Sequence, residues 1–269
     1  MKQKISITIN KKIIDQIDEL VDGIIIKNRS QAIEHIISKY ILFNKTAVIL
    51  AGGDEKKLLN EEKDTYKPLM KLDGITIIEK MINDLSIQGF KKIFIIGREK
   101  IISELFKLLK NGEEFGVNIK YIIEKHSKGT FDTLKLCKNH IASNFLVLYC
   151  DLILEDVNLN ELWNEHIISN SICTLLLTTY TEPSKIGVTL LEGNKIISFI
   201  QKPKDVNIHL GFASVFVASP EVFNFPGSSL EEDLFPELAK EGLLCGHITS
   251  KKIINAHSKK DIEKFKNVH

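Results

Sequence analysis

The sequence predicts an α/β protein preceded by a small module of one strand and two helices. Three observations carry that expectation. From Thr46 onward short apolar strands alternate with amphipathic helices, whereas the preceding stretch holds a single alternating strand followed by two helical stripes. The chain has 269 residues, more than one domain usually takes, which places a module at 1–44 ahead of a domain at 45–269. Hydrophobic residues make up 43% and charged residues 26%, the balance of a globular chain able to bury a core.

Within the module, Lys4 to Asn10 reads K-I-S-I-T-I-N. Period two sends Ile5, Ile7 and Ile9 to one face and Lys4, Ser6 and Thr8 to the other. Ile13, Ile14, Ile17, Leu20 and Val21 then recur at helical spacing until Asp22-Gly23 stops the pattern. Ala32, Ile33, Ile36, Ile37, Tyr40 and Ile41 form a second stripe, with Asn28 and Gln31 placed as an N-cap and N3 pair. One strand and two helices cannot bury these stripes in so short a monomer, so a partner chain is expected. The first fourteen residues carry four lysines and no acid, a surface suited to a polyanion.

In this arrangement the module resembles the ribbon-helix-helix DNA-binding proteins, through its K-x-S-x-T strand and the helix N-R-S-Q-A-I-E-H-I-I-S-K-Y-I. The resemblance implies a homodimer whose paired strands enter the DNA major groove, with Lys4, Ser6 and Thr8 reading base edges. It also implies that amides near Arg29 and Ser30 hold a backbone phosphate. An alternative reading makes the strand a dimerisation device and the lysines a solvated face.

The larger domain opens with T-A-V-I-L-A-G-G, a buried strand running into Gly52-Gly53, and Y-K-P-L-M-K follows with Lys67 at a loop end. Glycines let a backbone approach a phosphate or base, and a lysine supplies a mobile cation. Further along come a strand over Lys91–Gly97, the loop Lys128-Gly129-Thr130, a strand from Phe145 to Asp151, the segment Ser184–Val188, F-I-Q-K-P at 199–203 and a strand over Leu210–Phe216. This ordered set resembles the sugar-1-phosphate nucleotidyltransferases across nearly all of residues 46–269. The resemblance implies a Rossmann-like, GT-A-like mixed sheet flanked by helices. It implies transfer of a nucleotidyl group from a nucleoside triphosphate to a sugar 1-phosphate, with Mg²⁺ as cofactor. The residues carried over are Leu50, Ala51, Gly52, Gly53, Lys57, Gly129 and Thr130 for the nucleotide, and Gly187, Lys202 and Gly211 for the sugar phosphate. Lys67 and Asp151 are the catalytic pair, and Asp151 with Asn255 takes the metal.

Two departures bear on activity. Asp54, Glu55, Lys56 and Lys57 stand where the family runs Gly-Thr-Arg, leaving Lys57 as the stand-in for the arginine, and Asn255 replaces a metal-binding aspartate. His257-Ser258-Lys259 replaces Gly-Thr-Pro. His126, His209 and His257 have no ligand partners visible in sequence and are read as solvent or substrate-rim residues. Two functions therefore stay open, an active transferase and a transcriptional regulator that only senses a nucleotide or sugar nucleotide. Cys137, Cys150, Cys173 and Cys245 are scattered, without metal-knuckle spacing, and read as buried reduced thiols. With no apolar run of membrane length and no signal-peptide core, a cytoplasmic protein is expected.

Overall fold

The computed structural model describes residues 6–42, 45–126, 128–204 and 207–266. The chain forms two compact units, Met1–Asn44 and Lys45–His269. Lys4, expected on the polar face of the first strand, lies outside the described residues.

In the smaller unit, α1 spans Lys11–Asp18 and α2 spans Arg29–Leu42. Asn10 caps α1 by accepting from the Lys12 amide at 3.0 Å. Between the helices, Asp22 Oδ1 accepts the amides of Ile24, Ile25 and Ile26 at 2.8–2.9 Å, and these backbone bonds hold its carboxyl below the usual range. Asn28 Oδ1 accepts from the Gln31 amide, while Gln31 Oε1 reaches back to Lys27 N, one residue before the cap itself. Arg29 grips Asp18 through Nε and Nη2 at 2.7 and 2.6 Å, so its guanidinium ties α1 to α2. Ser6 to Asn10 joins no ladder among the described residues. A strand exists only where a neighbour takes its backbone hydrogen bonds. Ile17 and Ala32 are buried, whereas Ile7, Ile13, Leu20, Ile36 and Ile37 are all exposed.

The larger unit begins with β1 (Lys45–Ala51), buried along its whole length, as a strand covered on both faces must be. Next come α3 (Glu55–Leu58), the short β2 (Lys71–Leu72) and β3 (Ile75–Thr76), and α4 (Ile77–Ile87), which Thr76 and Glu79 close with a reciprocal capping box. β4 (Phe90–Gly97), α5 (Glu99–Leu109), β5 (Asn118–Ile123), α6 (Thr130–Lys135) and β6 (Phe145–Tyr149) continue the alternation. Then follow β7 (Leu152–Leu154), α7 (Leu159–Ser169), β8 (Cys173–Thr179), β9 (Gly187–Glu192), β10 (Lys195–Gln201) and β11 (Leu210–Ala218). The chain closes through α8 (Phe235–Lys240), β12 (Leu244–Ile248), β13 (Ile253–Asn255) and α9 (Lys259–Lys266).

Nine strands form one mixed sheet in the order β5-β4-β1-β6-β11-β8-β12-β10-β9. β5, β4, β1 and β6 run parallel, and β11 then pairs antiparallel with β6 and β8. Because Ala51 pairs with Gly97, Gly97 with Ile123 and Leu50 with Tyr149, the four parallel strands end level, and their following loops open on one edge. Each face carries its own core. One packs Ile49, Ile95 and Leu148 against α4, α5 and α7, and the other packs Val48, Phe94, Val147 and Phe216 against α6 and α8. Trp163 stacks edge-on to Phe90 at 5.6 Å within the first, which makes it a packing residue. All four cysteines are buried, and burial pushes the Cys137 thiol up to about 12.

His166 of α7 is buried, with Nδ1 3.0 Å from Thr174 Oγ1, and burial lowers its pKa to about 4. The unfolded imidazole protonates near pH 6.5, so the unfolded chain binds the extra proton first. Stability is whole above that pH and is lost as pH falls from about 6.5 toward 4. The expected loss is about 3 kcal/mol across this window. His166→Gln should flatten that part of a urea-unfolding profile, and equal slopes for the two proteins would contradict the assignment.

Candidate active site

The level ends of β1, β4, β5 and β6 border a cleft of about 1470 Å³. Ligands of open parallel sheets bind at the carboxyl ends of strands, and single-ligand pockets run to about 1,000 Å³, so this one has room for two small substrates. Leu50, Gly52, Gly53, Lys57, Gly129, Thr130 and Asp151 line it, whereas Ala51 is fully buried in β1 behind it.

The loop after β1 is held from below by Glu124, at the end of β5, whose side chain is fully buried. Its Oε2 accepts the Gly53 amide at 2.7 Å, and Thr133 Oγ1 donates to Oε1. Arg98, at the end of β4, completes the clamp with Nε 3.2 Å from Glu124 Oε2 and 3.0 Å from the Gly53 carbonyl. The carboxylate passes so close that a Cβ on Gly52 would lie 2.7 Å from its Oε1, which is why glycine is needed there. The segment read as a departure from the family loop is helical: Asp54 caps α3 by accepting from Lys56 N at 3.0 Å. Glu55 accepts from Lys100 and Tyr66, each at 3.0 Å, and the lysine holds its carboxyl below the usual range. Lys57 is exposed on the cleft, but the guanidinium bound to the glycine loop belongs to Arg98. Sequence reasoning passed over Glu124 and Arg98. The available signal was a charged residue directly after each of two apolar parallel strands.

On the far wall, Gly129 meets the Ser228 carbonyl so closely that a Cβ would stand 2.6 Å from it. That carbonyl accepts the Phe131 and Asp132 amides at 2.8 and 2.9 Å. Thr130 Oγ1 donates to Glu231 Oε2 at 2.8 Å and Tyr149 donates to Oε1, so Glu231 ties α6 to β6. Burial, reinforced by this carboxylate, pushes the Tyr149 hydroxyl far up its range.

Asp151 sits in the turn between β6 and β7. Its Oδ2 faces Lys67 Nζ at 3.6 Å and His257 Nδ1 at 3.7 Å, and the lysine and the imidazole nitrogen are themselves 2.8 Å apart. The structure thus brings together the two expected catalytic residues and a histidine read from sequence as a rim residue. Asn255, the expected partner for metal, points its Nδ2 toward Ser214 Oγ at 3.5 Å. A divalent cation, implied by the resemblance, fits the donor types at Asp151, a carboxylate oxygen with an imidazole nitrogen 3.7 Å away, once Lys67 has left that nitrogen for a phosphate. No group of three or more His, Cys, Asp or Glu side chains converges among the described residues, so the remaining ligands would come from substrate phosphates and water.

Gly187, Lys202 and Gly211 lie apart from the lining of the cleft. Gly187 opens β9 and Gly211 pairs with Val188, so those two are adjacent, and a Cβ on Gly211 would lie 3.0 Å from the Gly187 carbonyl. Lys202 follows β10, donating its amide to the Ile186 carbonyl at 2.8 Å.

The nucleotidyl transferase family model matches residues 46–248. A mannose-1-phosphate guanyltransferase of Yarrowia lipolytica is 30% identical over 202 residues, which are 71% of this chain and 55% of that protein. The chain spans about half the length of the curated relatives it matches. Among solved structures, a glucose-1-phosphate thymidylyltransferase of Bacillus anthracis, described there as a presumed one, superposes with a TM-score of 0.74 at 22% identity, covering 83% of this chain and 94% of that one. HddC of Yersinia pseudotuberculosis, complexed with GMP-PN, superposes with a TM-score of 0.66 at 19% identity, covering 82% and 97%. These structural likenesses establish the α/β nucleotidyltransferase fold. No helix among the described residues is long and apolar enough to cross a membrane.

Proposed function

The chain belongs to the nucleotidyl transferase family, and from that premise we propose that its larger unit joins a nucleoside triphosphate to a sugar 1-phosphate. A phosphate oxygen of the sugar 1-phosphate attacks the α-phosphorus, the bond to the bridging oxygen breaks, and pyrophosphate leaves with the electron pair. The reaction asks little proton transfer of the protein, so aligning two polyanions and neutralising their charge is the main task. One observation carries the reading: Lys67 and Asp151, distant in sequence, converge within 3.6 Å beside the cleft. Lys67 neutralises phosphate, Arg98 and Glu124 hold the Gly52-Gly53 loop open to the nucleotide, and Gly187, Lys202 and Gly211 serve the sugar phosphate. Asp151 would hold a divalent cation, which when bound supplies further neutralisation of triphosphate charge. The guanyltransferase relatives make GTP with mannose 1-phosphate the first pair to test. Pyrophosphate release dependent on both substrates is the expected result. Nucleotide binding without release would favour the sensing regulator instead.

For residues 1–44 we propose a dimerising, DNA-binding module. The exposed Ile7, Ile13, Leu20, Ile36 and Ile37 support it, because such apolar side chains find cover in a second copy. The full chain should sediment as two copies and a chain lacking residues 1–44 as one. Lys4→Ala with Thr8→Ala should weaken binding to a selected site by about 1–3 kcal/mol for each side chain that reads a base edge. Unchanged affinity in a gel-shift titration would remove the strand as a reading face.

A further inference from the structure

We propose that His257 supplies the second protein ligand of a divalent-cation site at Asp151, and that its nitrogen turns the site toward first-row transition ions and away from Mg²⁺. The use of that ion in catalysis rests on the transferase reading, whereas its binding does not. The placement is built by the main chain. Ala256 donates its amide to the Asp151 carbonyl at 2.8 Å, which pins the end of β13 against the turn carrying Asp151. Asp261 Oδ2 then accepts the His257 and Ser258 amides at 3.0 and 2.9 Å and fixes the next turn. With the backbone held at both ends, His257 Nδ1 comes to 3.7 Å from Asp151 Oδ2, while the Asn255 amide is turned toward Ser214.

Two neighbouring donors on one octahedral ion, each about 2.1 Å from it, stand about 3.0 Å apart. A small side-chain rotation closes that gap. Lys67 Nζ stands beside both donors, at 2.8 Å from the nitrogen and 3.6 Å from the oxygen, so an ion takes this place only as the lysine swings off Nδ1. His257 is 47% exposed, which leaves coordination positions open to phosphate and water. Mg²⁺ prefers oxygen ligands, whereas affinity of a nitrogen-bearing site rises along the series from Mn²⁺ toward Co²⁺ and Zn²⁺.

The test uses the full chain with Mn²⁺ alone, read by pulsed electron paramagnetic resonance, and then with Mg²⁺ as competitor. We expect bound Mn²⁺ to show coupling to one imidazole ¹⁴N, and His257→Ala to lose that coupling while its circular dichroism stays unchanged. His257→Asp should create an all-oxygen pair and let Mg²⁺ displace Mn²⁺ at a lower excess than the wild type requires. Absence of bound Mn²⁺, bound Mn²⁺ without ¹⁴N coupling, or coupling that survives His257→Ala would each overturn the proposal. A ¹⁴N coupling in a chain that releases no pyrophosphate would sink the transferase reading and leave this site standing.

Discussion

Asp151→Asn is expected to lower pyrophosphate release by roughly 100- to 1,000-fold, the range seen when one group that stabilises transition-state charge is removed. The substitution keeps shape and volume but removes the negative charge that Lys67 and His257 both face. Lys67 loses an ion-pair partner at 3.6 Å but keeps the His257 imidazole at 2.8 Å, while any cation loses its anionic ligand. The main-chain bond from Ala256 to the Asp151 carbonyl is untouched, so the thermal midpoint should move little. Nucleotide binding without metal should persist, held by the clamped loop and Lys67. Parallel measurement of release, metal-dependent binding and melting separates these effects. Turnover within a few-fold of wild type would remove Asp151 from the reacting centre.

Glu124→Ala is expected to be the most destabilising change at the cleft, by about 2–4 kcal/mol. The carboxylate is fully buried and accepts from Gly53 and Thr133 while pairing with Arg98. Its removal leaves the Gly53 amide without its acceptor and opens a void under the loop, while the Thr133 hydroxyl keeps the Gly129 carbonyl at 3.3 Å. Arg98 is 30% exposed and turns to water at modest cost, which keeps the figure below that of a wholly buried ion pair. Because the same bonds set the glycine loop, nucleotide affinity should fall as well. Glu124→Gln retains one acceptor oxygen and should lie between wild type and alanine in both urea midpoint and affinity. Equal stability of wild type and Glu124→Ala would show that the network contributes no net stabilisation.

Much of the site was legible in sequence because its elements announce themselves locally. The apolar run of β1 into Gly52-Gly53, the Lys67-Pro68 step and an aspartate after the apolar run of β6 each depend on neighbours within a few positions. Asn28 at the start of α2 was read by the same local chemistry. The helix α3 and its N-cap at Asp54 were not, since a four-residue helix leaves too few positions for periodicity to register.

What only the tertiary structure decided is which distant residues meet. Gly53 and Glu124 are 71 positions apart, Thr130 and Glu231 101, and Lys67 and His257 190. The family resemblance marked Asp151 as an expected ligand and Lys67 as an expected phosphate cation, but left His257 indistinguishable from a surface histidine. Its position follows from the antiparallel pairing of β13 with β7, where Asn255 meets Leu152 and so carries His257 up to Asp151. A shift of that ladder by one residue would turn the alternate side chains to the other face. Periodicity and turn chemistry are local properties of the chain and determined most of its elements, whereas the order and register of strands are set by tertiary packing, which brought the site's distant partners together.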